Sequence, residues 1–228
     1  MSLCDNCFTR NKCAKYSKGQ IVESDFCIKN FKLGALYDLS LMSEKQRQHT
    51  DLRIDSNGTD REQFLFLNST SKDIEKFVET GSNLYLYSTT CGNGKTSWAL
   101  RLLQCYLNKI WYKSEVTCRA LFINVPKFFL MLKDNISQKN DYIEHIKRYV
   151  TECDIVVWDD IGTKVGTEFE VENLLNIINN RIDNGKSNIY TSNMSPEQLK
   201  ICVGERLYSR IINMSANIEL RGIDKRGL

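Results

Sequence analysis

Residues 83–107 read NLYLYSTTCGNGKTSWALRLLQCYL, and the fold prediction starts from this motif. Residues 84–87 are an apolar, aromatic run, which is typical of a short buried strand. A turn rich in small residues follows, and Lys95 then begins a helix whose predicted apolar face is Trp98, Leu102, Cys105 and Tyr106. A strand, a small-residue loop, Gly-Lys-Thr and a helix, in this order, predict a phosphate-binding P-loop.

Such a loop binds phosphate because its backbone N–H groups and the helix N-terminus point at one spot and carry partial positive charge. Lys95 would neutralise the terminal phosphates, and the Thr96 hydroxyl would bind Mg²⁺. The pattern G-x-x-x-x-G-K-[ST] is incomplete here, because Thr89 stands at its first glycine. We predict that the nucleotide contacts Thr90, Cys91, Gly92, Asn93, Gly94, Lys95, Thr96 and Ser97.

A second motif, DIVVWDD, covers residues 154–160. It is an apolar strand that ends in two carboxylates, as a Walker B strand requires. Asp159 would bind Mg²⁺, and Asp160 would orient or deprotonate the attacking water. A phosphate loop followed by an acidic strand predicts an ATPase of the P-loop type.

Two further features bear polar side chains suited to the same chemistry. The run NIYT, residues 188–191, predicts a strand, and Asn193 just beyond it is placed to hydrogen-bond a γ-phosphate or the attacking water. Arg206 and Arg210 lie four residues apart on one face of a predicted helix. An arginine can clamp a phosphate, and from a neighbouring subunit it would act as an arginine finger. An ordinary turn asparagine and surface salt bridges are the alternatives.

Nine cysteines without a secretion signal indicate a reducing compartment. Four of them fall within the first 27 residues, and a tetrahedral S₄ site for Zn²⁺ is the predicted use. An iron–sulfur cluster and free thiols on an unstructured tail are the alternatives. The predicted metal ligands are Cys4, Cys7, Cys13 and Cys27.

The composition is that of a globular chain: 228 residues, 42% hydrophobic and 26% charged. The net charge of +3 permits a nucleic-acid partner without establishing one. No apolar run approaches a membrane span and the N-terminus has no signal-peptide core, so we expect a cytoplasmic protein. We predict a zinc-binding domain over residues 1–35, a linker over 36–70 and an ATPase domain over 71–228, its first helix capped by Ser71.

The segments GNGKT, IVVWDDIG, NIYTSNMSP and GERLYSRI, in this order and spacing, resemble the AAA+ ATPase domain of bacterial and phage replicative helicase loaders of the DnaC/DnaI type. The resemblance covers residues 40–228. It implies an α/β fold of the P-loop AAA+ (ASCE) class, with a parallel sheet flanked by helices. By cysteine spacing alone, the N-terminus is similar to the zinc-binding, helicase-contacting domains of the DnaI branch.

The resemblance also implies site roles. Lys95 and Thr96 would bind ATP phosphates and Mg²⁺, while Asp159 and Asp160 would be the Walker B pair. Asn193 would be the sensor 1 residue. The implied arginine roles are the trans-acting finger, its supporting residue and sensor 2, carried respectively by Arg210, Arg206 and Arg226. Single-stranded DNA would meet Lys164, Thr167 and Phe169.

We therefore predict an ATP-dependent loader that places the hexameric replicative DNA helicase on single-stranded DNA in replication initiation. ATP-bound copies would assemble side by side, because a finger from one subunit completes the site of the next. One alternative is a transposition-helper or initiator-type AAA+ ATPase. Another is a zinc-bearing helicase adaptor or inhibitor that binds nucleotide without hydrolysing it.

Overall fold

The computed structural model describes residues 13, 25–48, 52, 58–137, 139–163 and 165–222. The helices in these ranges are α1 (Asp25–Leu39), α2 (Glu44–Arg47), α3 (Arg61–Lys72), α4 (Ile74–Glu79), α5 (Lys95–Ile110), α6 (Val125–Ser137), α7 (Asp141–Glu152), α8 (Glu168–Asp183) and α9 (Pro196–Ile212). The strands are β1 (Asn83–Tyr87), β2 (Ala120–Asn124), β3 (Ile155–Asp159), β4 (Ser187–Ser192) and β5 (Ala216–Glu219). None of the described helices is long and apolar enough to cross a membrane.

The five strands form one parallel sheet in the order β2-β3-β4-β1-β5. Every residue of β3 is buried, which explains why residues 155–158 of this interior strand are an uninterrupted apolar run. The register pairs Asn124 with Asp159 and Trp158 with Tyr190, so the polar ends of β2, β3 and β4 lie side by side. The predicted α/β fold with a parallel sheet flanked by helices is confirmed.

Helices cover both faces of the sheet, and alternation along each strand sends side chains to two cores. Leu84, Leu86 and Val157 pack in one core with apolar residues of α1, α3, α4 and α5. Tyr85 and Trp158 pack in the other core with residues of α6 to α9. The P-loop helix α5 therefore lies on the opposite face of the sheet from the arginine-bearing helix α9.

The predicted linker, residues 36–70, contributes to the first of these cores. Leu36, Tyr37, Met42 and Leu67 are buried in it, and the Phe122 N–H at the sheet edge donates to the Ser40 carbonyl at 2.9 Å. The apolar residues of α1 recur at helical spacing and need a surface to bury them, and α5 and β2 supply it. The division of the chain into domains stays a prediction.

The predicted cap at Ser71 is wrong. Ser71 lies in the last turn of α3, and its hydroxyl donates to the Asn68 carbonyl at 2.7 Å. The break between α3 and α4 falls at Asp73, whose N–H donates to the Ser69 carbonyl. A serine can bond back to a carbonyl inside a helix as well as cap one, so its presence alone did not locate the boundary.

Candidate active site

The phosphate loop connects β1 to α5, and its conformation depends on two glycines. Gly92 and Gly94 have φ angles of 76° and 102°, a region that glycine occupies without strain. Gly94 precedes α5 with no side chain capping the helix, and a Cβ built on it would meet nothing within 4 Å. No side chain caps the first N–H groups of α5, so these donors suit an anion. Among described non-glycine residues only Leu41 and Asp160 have positive φ, so Thr89 is accommodated without this strain.

Lys95 is held inside the loop, with only 7% of its surface exposed. Its ammonium donates to the Thr90 carbonyl at 3.1 Å and to Asn93 Oδ1 at 3.2 Å. Both acceptors are uncharged, so a phosphate would be a stronger partner for the ammonium than either of them. The arrangement keeps the lysine where the predicted terminal phosphates would lie.

Asp159 joins the helix and the sheet at the predicted magnesium position. Its Oδ1 accepts from the Thr96 hydroxyl at 2.8 Å and from the Thr191 hydroxyl at 2.7 Å. Burial raises the pKa of Asp159, and the nearby Asp160 carboxylate adds to this, while the two hydroxyl donors oppose it. Within the described ranges no lysine or arginine forms an ion pair with Asp159, so its charge is available to a cation.

Asp160 is fixed by its backbone as well as by its side chain. It has a φ of 60°, which is uncommon and strained for a residue other than glycine and recurs at functional sites. Its N–H donates to Thr191 Oγ1 at 3.1 Å, and its Oδ2 accepts from Asn124 Nδ2 at 3.2 Å. The turn after β3 thereby places the Asp160 carboxylate beside Asn124, the last residue of β2.

The residues present fit a magnesium-bound nucleotide. A hydroxyl and a carboxylate, Thr96 and Asp159, are the hard oxygen ligands that Mg²⁺ prefers. Thr96 lies in the first turn of α5, and its hydroxyl is 2.8 Å from Asp159 Oδ1 at the end of β3. The structure therefore brings together the P-loop and Walker B residues that the sequence predicted, and their roles stay predictions.

Sequence reasoning missed Thr191 and Asn124, which hold the two aspartates. Both lie at the carboxyl ends of strands, one on each side of β3. A polar residue ending an apolar strand, as in ALFIN and NIYTS, is the signal that could have found them. The predicted sensor, Asn193, is half-buried beyond the end of β4 and makes no hydrogen bond to any described residue.

The two arginines lie on α9 beyond a break in the helix. Gly204 has φ 77° and ψ 165°, so the second half of α9 takes its own direction. Arg206 is exposed and Arg210 half-buried. In the described part of the chain neither side chain forms a hydrogen bond or an ion pair, and the salt-bridge alternative therefore has no support there.

The predicted DNA-contacting residues differ in their surroundings. Thr167 caps α8 in a reciprocal capping box with Glu170, and its hydroxyl oxygen accepts a hydrogen bond from the Glu170 N–H. Phe169 lies in the first turn of α8 and is 42% exposed. Lys164 lies outside the described residues, as does the sensor 2 candidate Arg226.

The zinc prediction falls largely outside the described residues too, since Cys4 and Cys7 are not among them. Cys13 and Cys27 are both half-buried and form no disulfide. Within the described ranges no group of three or more His, Cys, Asp or Glu side chains is placed to hold a metal. Zinc binding therefore stays a prediction.

Comparison with known structures gives the same fold. The DnaC helicase loader aligns with a TM-score of 0.64 and 21% identity, over 78% of this chain and 100% of that one. DnaI aligns with a TM-score of 0.61 and 20% identity, over 82% and 95%. DnaA from Aquifex aeolicus bound to AMPPCP aligns with a TM-score of 0.57 and 18% identity, over 74% of this chain but only 48% of DnaA.

Comparison with sequence families gives the assignment. The model of the bacterial DnaA ATPase domain matches residues 64–217, which is more than half of the chain, and curated protein sequences gave no match. The predicted resemblance is thereby confirmed: the chain belongs to the bacterial DnaA ATPase domain family and has the AAA+-like fold of the DnaC and DnaI helicase loaders.

Proposed function

We propose that this protein is an ATP-dependent loader of the hexameric replicative helicase onto single-stranded DNA. The observation that carries the proposal is the extent of the structural likeness. It covers the whole length of the DnaC helicase loader and 95% of DnaI, but 48% of DnaA. An initiator-type ATPase is the second candidate, because the matching family is that of the DnaA ATPase domain.

ATP would bind at the loop of Thr90 to Ser97, with the Lys95 ammonium moving from the Thr90 carbonyl and Asn93 Oδ1 to the phosphates. Thr96 and Asp159 would hold Mg²⁺, which supplies charge neutralisation to the phosphates when bound. Asp160, fixed by Asn124 and by the turn after β3, would orient the attacking water and accept its proton. Asn193 would sense the γ-phosphate from the tip of β4.

Arg210 would complete the site of a neighbouring copy, with Arg206 supporting it. Both guanidinium groups lack a partner in the described part of the chain, which leaves them available for a phosphate. A finger acting between copies makes hydrolysis depend on assembly. The ATP-bound copies would then form the side-by-side array that opens the helicase ring. The predicted zinc domain would bind the helicase.

Mixing two inactive variants tests the finger. Lys95→Ala removes a subunit's own phosphate contact, while Arg210→Ala removes what it offers its neighbour. Each should lose most ATP turnover alone, and an equimolar mixture should regain part of it, because one active interface can form. Lys72→Ala, which removes an exposed cation at the end of α3, is the control and should leave turnover unchanged. A mixture as inactive as its parts would refute a finger acting in trans.

Native mass spectrometry tests the partner. The metal-replete chain is mixed with a replicative helicase hexamer, with and without ATP, and the masses report the copies and metals bound. A complex of one hexamer with several copies of this chain supports the loader proposal. Assembly on DNA with ATP, but no helicase complex, would favour the initiator-type or transposition-helper alternative. Helicase binding without measurable hydrolysis would favour the adaptor.

Single-stranded DNA binding is proposed at Lys164, Thr167 and Phe169. Exposed aromatic side chains stack on unpaired bases, and Phe169 is the one of these three with an exposed ring. Phe169→Ala should weaken binding of a labelled oligonucleotide by roughly tenfold, the effect of one lost stacking contact. Tyr112→Ala removes an exposed ring elsewhere, and an equal loss there would contradict a specific contact at Phe169.

A further inference from the structure

The segment that follows β5 is bound by side chains from two distant parts of the chain. The Leu220 carbonyl accepts from Asn93 Nδ2 at 2.7 Å. The N–H groups of Arg221 and Gly222 donate to the two carboxylate oxygens of Asp60, each at 2.7 Å. Three successive backbone groups are thus held by side chains, one of which belongs to the phosphate loop.

Asp60 does not have the role that its position suggests. It precedes α3, where an aspartate usually caps the helix, yet its side chain makes no capping bond. The Asp60 carboxylate instead accepts hydrogen bonds from Arg221 and Gly222, which lie 161 and 162 positions further along the chain. Asp60 is 8% exposed. Two charge-assisted bonds from a buried carboxylate hold a segment more firmly than neutral bonds would.

Asn93 connects this segment to the lysine of the site. Its amide nitrogen donates to Leu220, while its amide oxygen accepts from Lys95 Nζ at 3.2 Å. Asn93 is 3% exposed, so its amide has little freedom to exchange these partners for water. The Leu220 N–H donates to the Tyr87 carbonyl at 2.8 Å, which fixes the segment beside the strand that leads into the loop.

We propose that residues 220–222 are a positioning segment of the nucleotide site. Asp60 holds the segment, the segment orients Asn93, and Asn93 orients Lys95 to receive the phosphates. This inference rests on the proposed nucleotide binding. Because coupling between two sites is reciprocal, bound nucleotide would in turn steady the segment, and a force on the C-terminal side of residue 222 would change ATP affinity.

A double-mutant cycle on Mg-ATP affinity tests the coupling. In Asp60→Asn the amide can no longer accept from both N–H groups, so affinity should fall by about tenfold, the effect of one hydrogen bond of ordinary strength. In the Asn93→Ala background the same change should alter affinity by less than about twofold, because residues that act in series are not additive. Asp73→Asn is the control, since Asp73 also precedes a helix without capping it. Additive effects, or an unchanged affinity in Asp60→Asn, would overturn the proposal.

Hydrogen exchange of the nucleotide-free chain separates this inference from the proposed function. Asp60→Asn should speed amide exchange in residues 88–97 as well as in residues 220–222, with the rest of the sheet protected. Faster exchange only at 220–222 would mean that Asp60 secures the segment without positioning the loop, and would overturn the inference. If the wild-type chain binds no nucleotide, the proposed function fails, but the exchange result still shows whether residues 220–222 position the phosphate loop. If Asp60→Asn does not fold, Asn93→Ala with faster exchange at 220–222 gives the same decision.

Discussion

The sharpest prediction concerns Thr191, the residue that joins both aspartates. It is 1% exposed, donates to Asp159 Oδ1 at 2.7 Å and accepts from the Asp160 N–H at 3.1 Å. Thr191→Val keeps the shape and removes both bonds. Leaving the Asp160 N–H without an acceptor destabilises the fold by about 1–3 kcal/mol. For a chain of this size that lowers Tm by roughly 2–10 °C, which thermal denaturation measures directly.

The same substitution should act on turnover more than on binding. The phosphate loop is untouched, so KM for ATP should change little, while the displaced Asp160 carboxylate should lower kcat by roughly 10- to 100-fold. Asp159 loses a donor that favours its charged form, so the pKa of Asp159 rises further. The acid limb of the pH–rate profile should therefore move to higher pH.

Thr191→Ser supplies the matched control, since it keeps the hydroxyl and loses only a methyl group. It should retain most of the stability and turnover. A Thr191→Val protein with the Tm and kcat of wild type would show that the two Thr191 hydrogen bonds do not position the aspartates. If Thr191→Ser proved as damaging as Thr191→Val, packing of the methyl group would be the cause instead of the two hydrogen bonds.

Three further predictions follow from buried charge and from backbone strain. The pKa of Asp159 is raised by burial, so its contribution to stability is full below the unfolded pKa and is lost as pH rises through the folded pKa. Without nucleotide and near neutral pH, Asp159→Asn should therefore have a higher Tm than wild type, and the difference in Tm should close on acidification. The variant should also lose Mg-ATP binding. A difference in Tm that stays constant with pH would contradict a raised pKa at Asp159. Arg181 is fully buried and donates to the carbonyls of Val150, Cys153 and Ser187 and to Asn188 Oδ1. In urea titrations, Arg181→Ala should lower the free energy of unfolding by about 3 kcal/mol or more. The control Arg148→Ala, at an exposed position, should lower it by less than about 0.5 kcal/mol. Gly204→Ala places a side chain at φ 77° and ψ 165°, a region essentially restricted to glycine, so it should cost about 1–3 kcal/mol and reduce assembly-dependent turnover with ATP affinity kept. Gly185→Ala also places a side chain at a positive φ, 63°, but outside α9, and it should lower stability alone.

Much of the fold followed from local sequence. The strands β1, β3 and β4 begin and end within one residue of prediction. These strands are central or paired with central ones, so their apolar runs are long enough to be read directly. The helices α1 to α4 were harder to predict, because their apolar residues make sense only against α5 and the sheet edge that bury them.

The candidate site likewise has residues that local sequence predicts and partners that depend on tertiary packing. The phosphate loop and the acidic strand end could be predicted from local sequence, because Gly94, Lys95, Thr96 and Asp159 act through local backbone geometry and residue chemistry. The groups that hold these residues in place are brought to them by the folded chain. Thr96 meets Asp159 across 63 residues, Asn93 meets Leu220 across 127, and Asp60 meets Arg221 across 161. Hydrogen bonds between residues so far apart leave no periodic pattern in the sequence, because the order of the strands, and not the spacing of residues, brings the partners together.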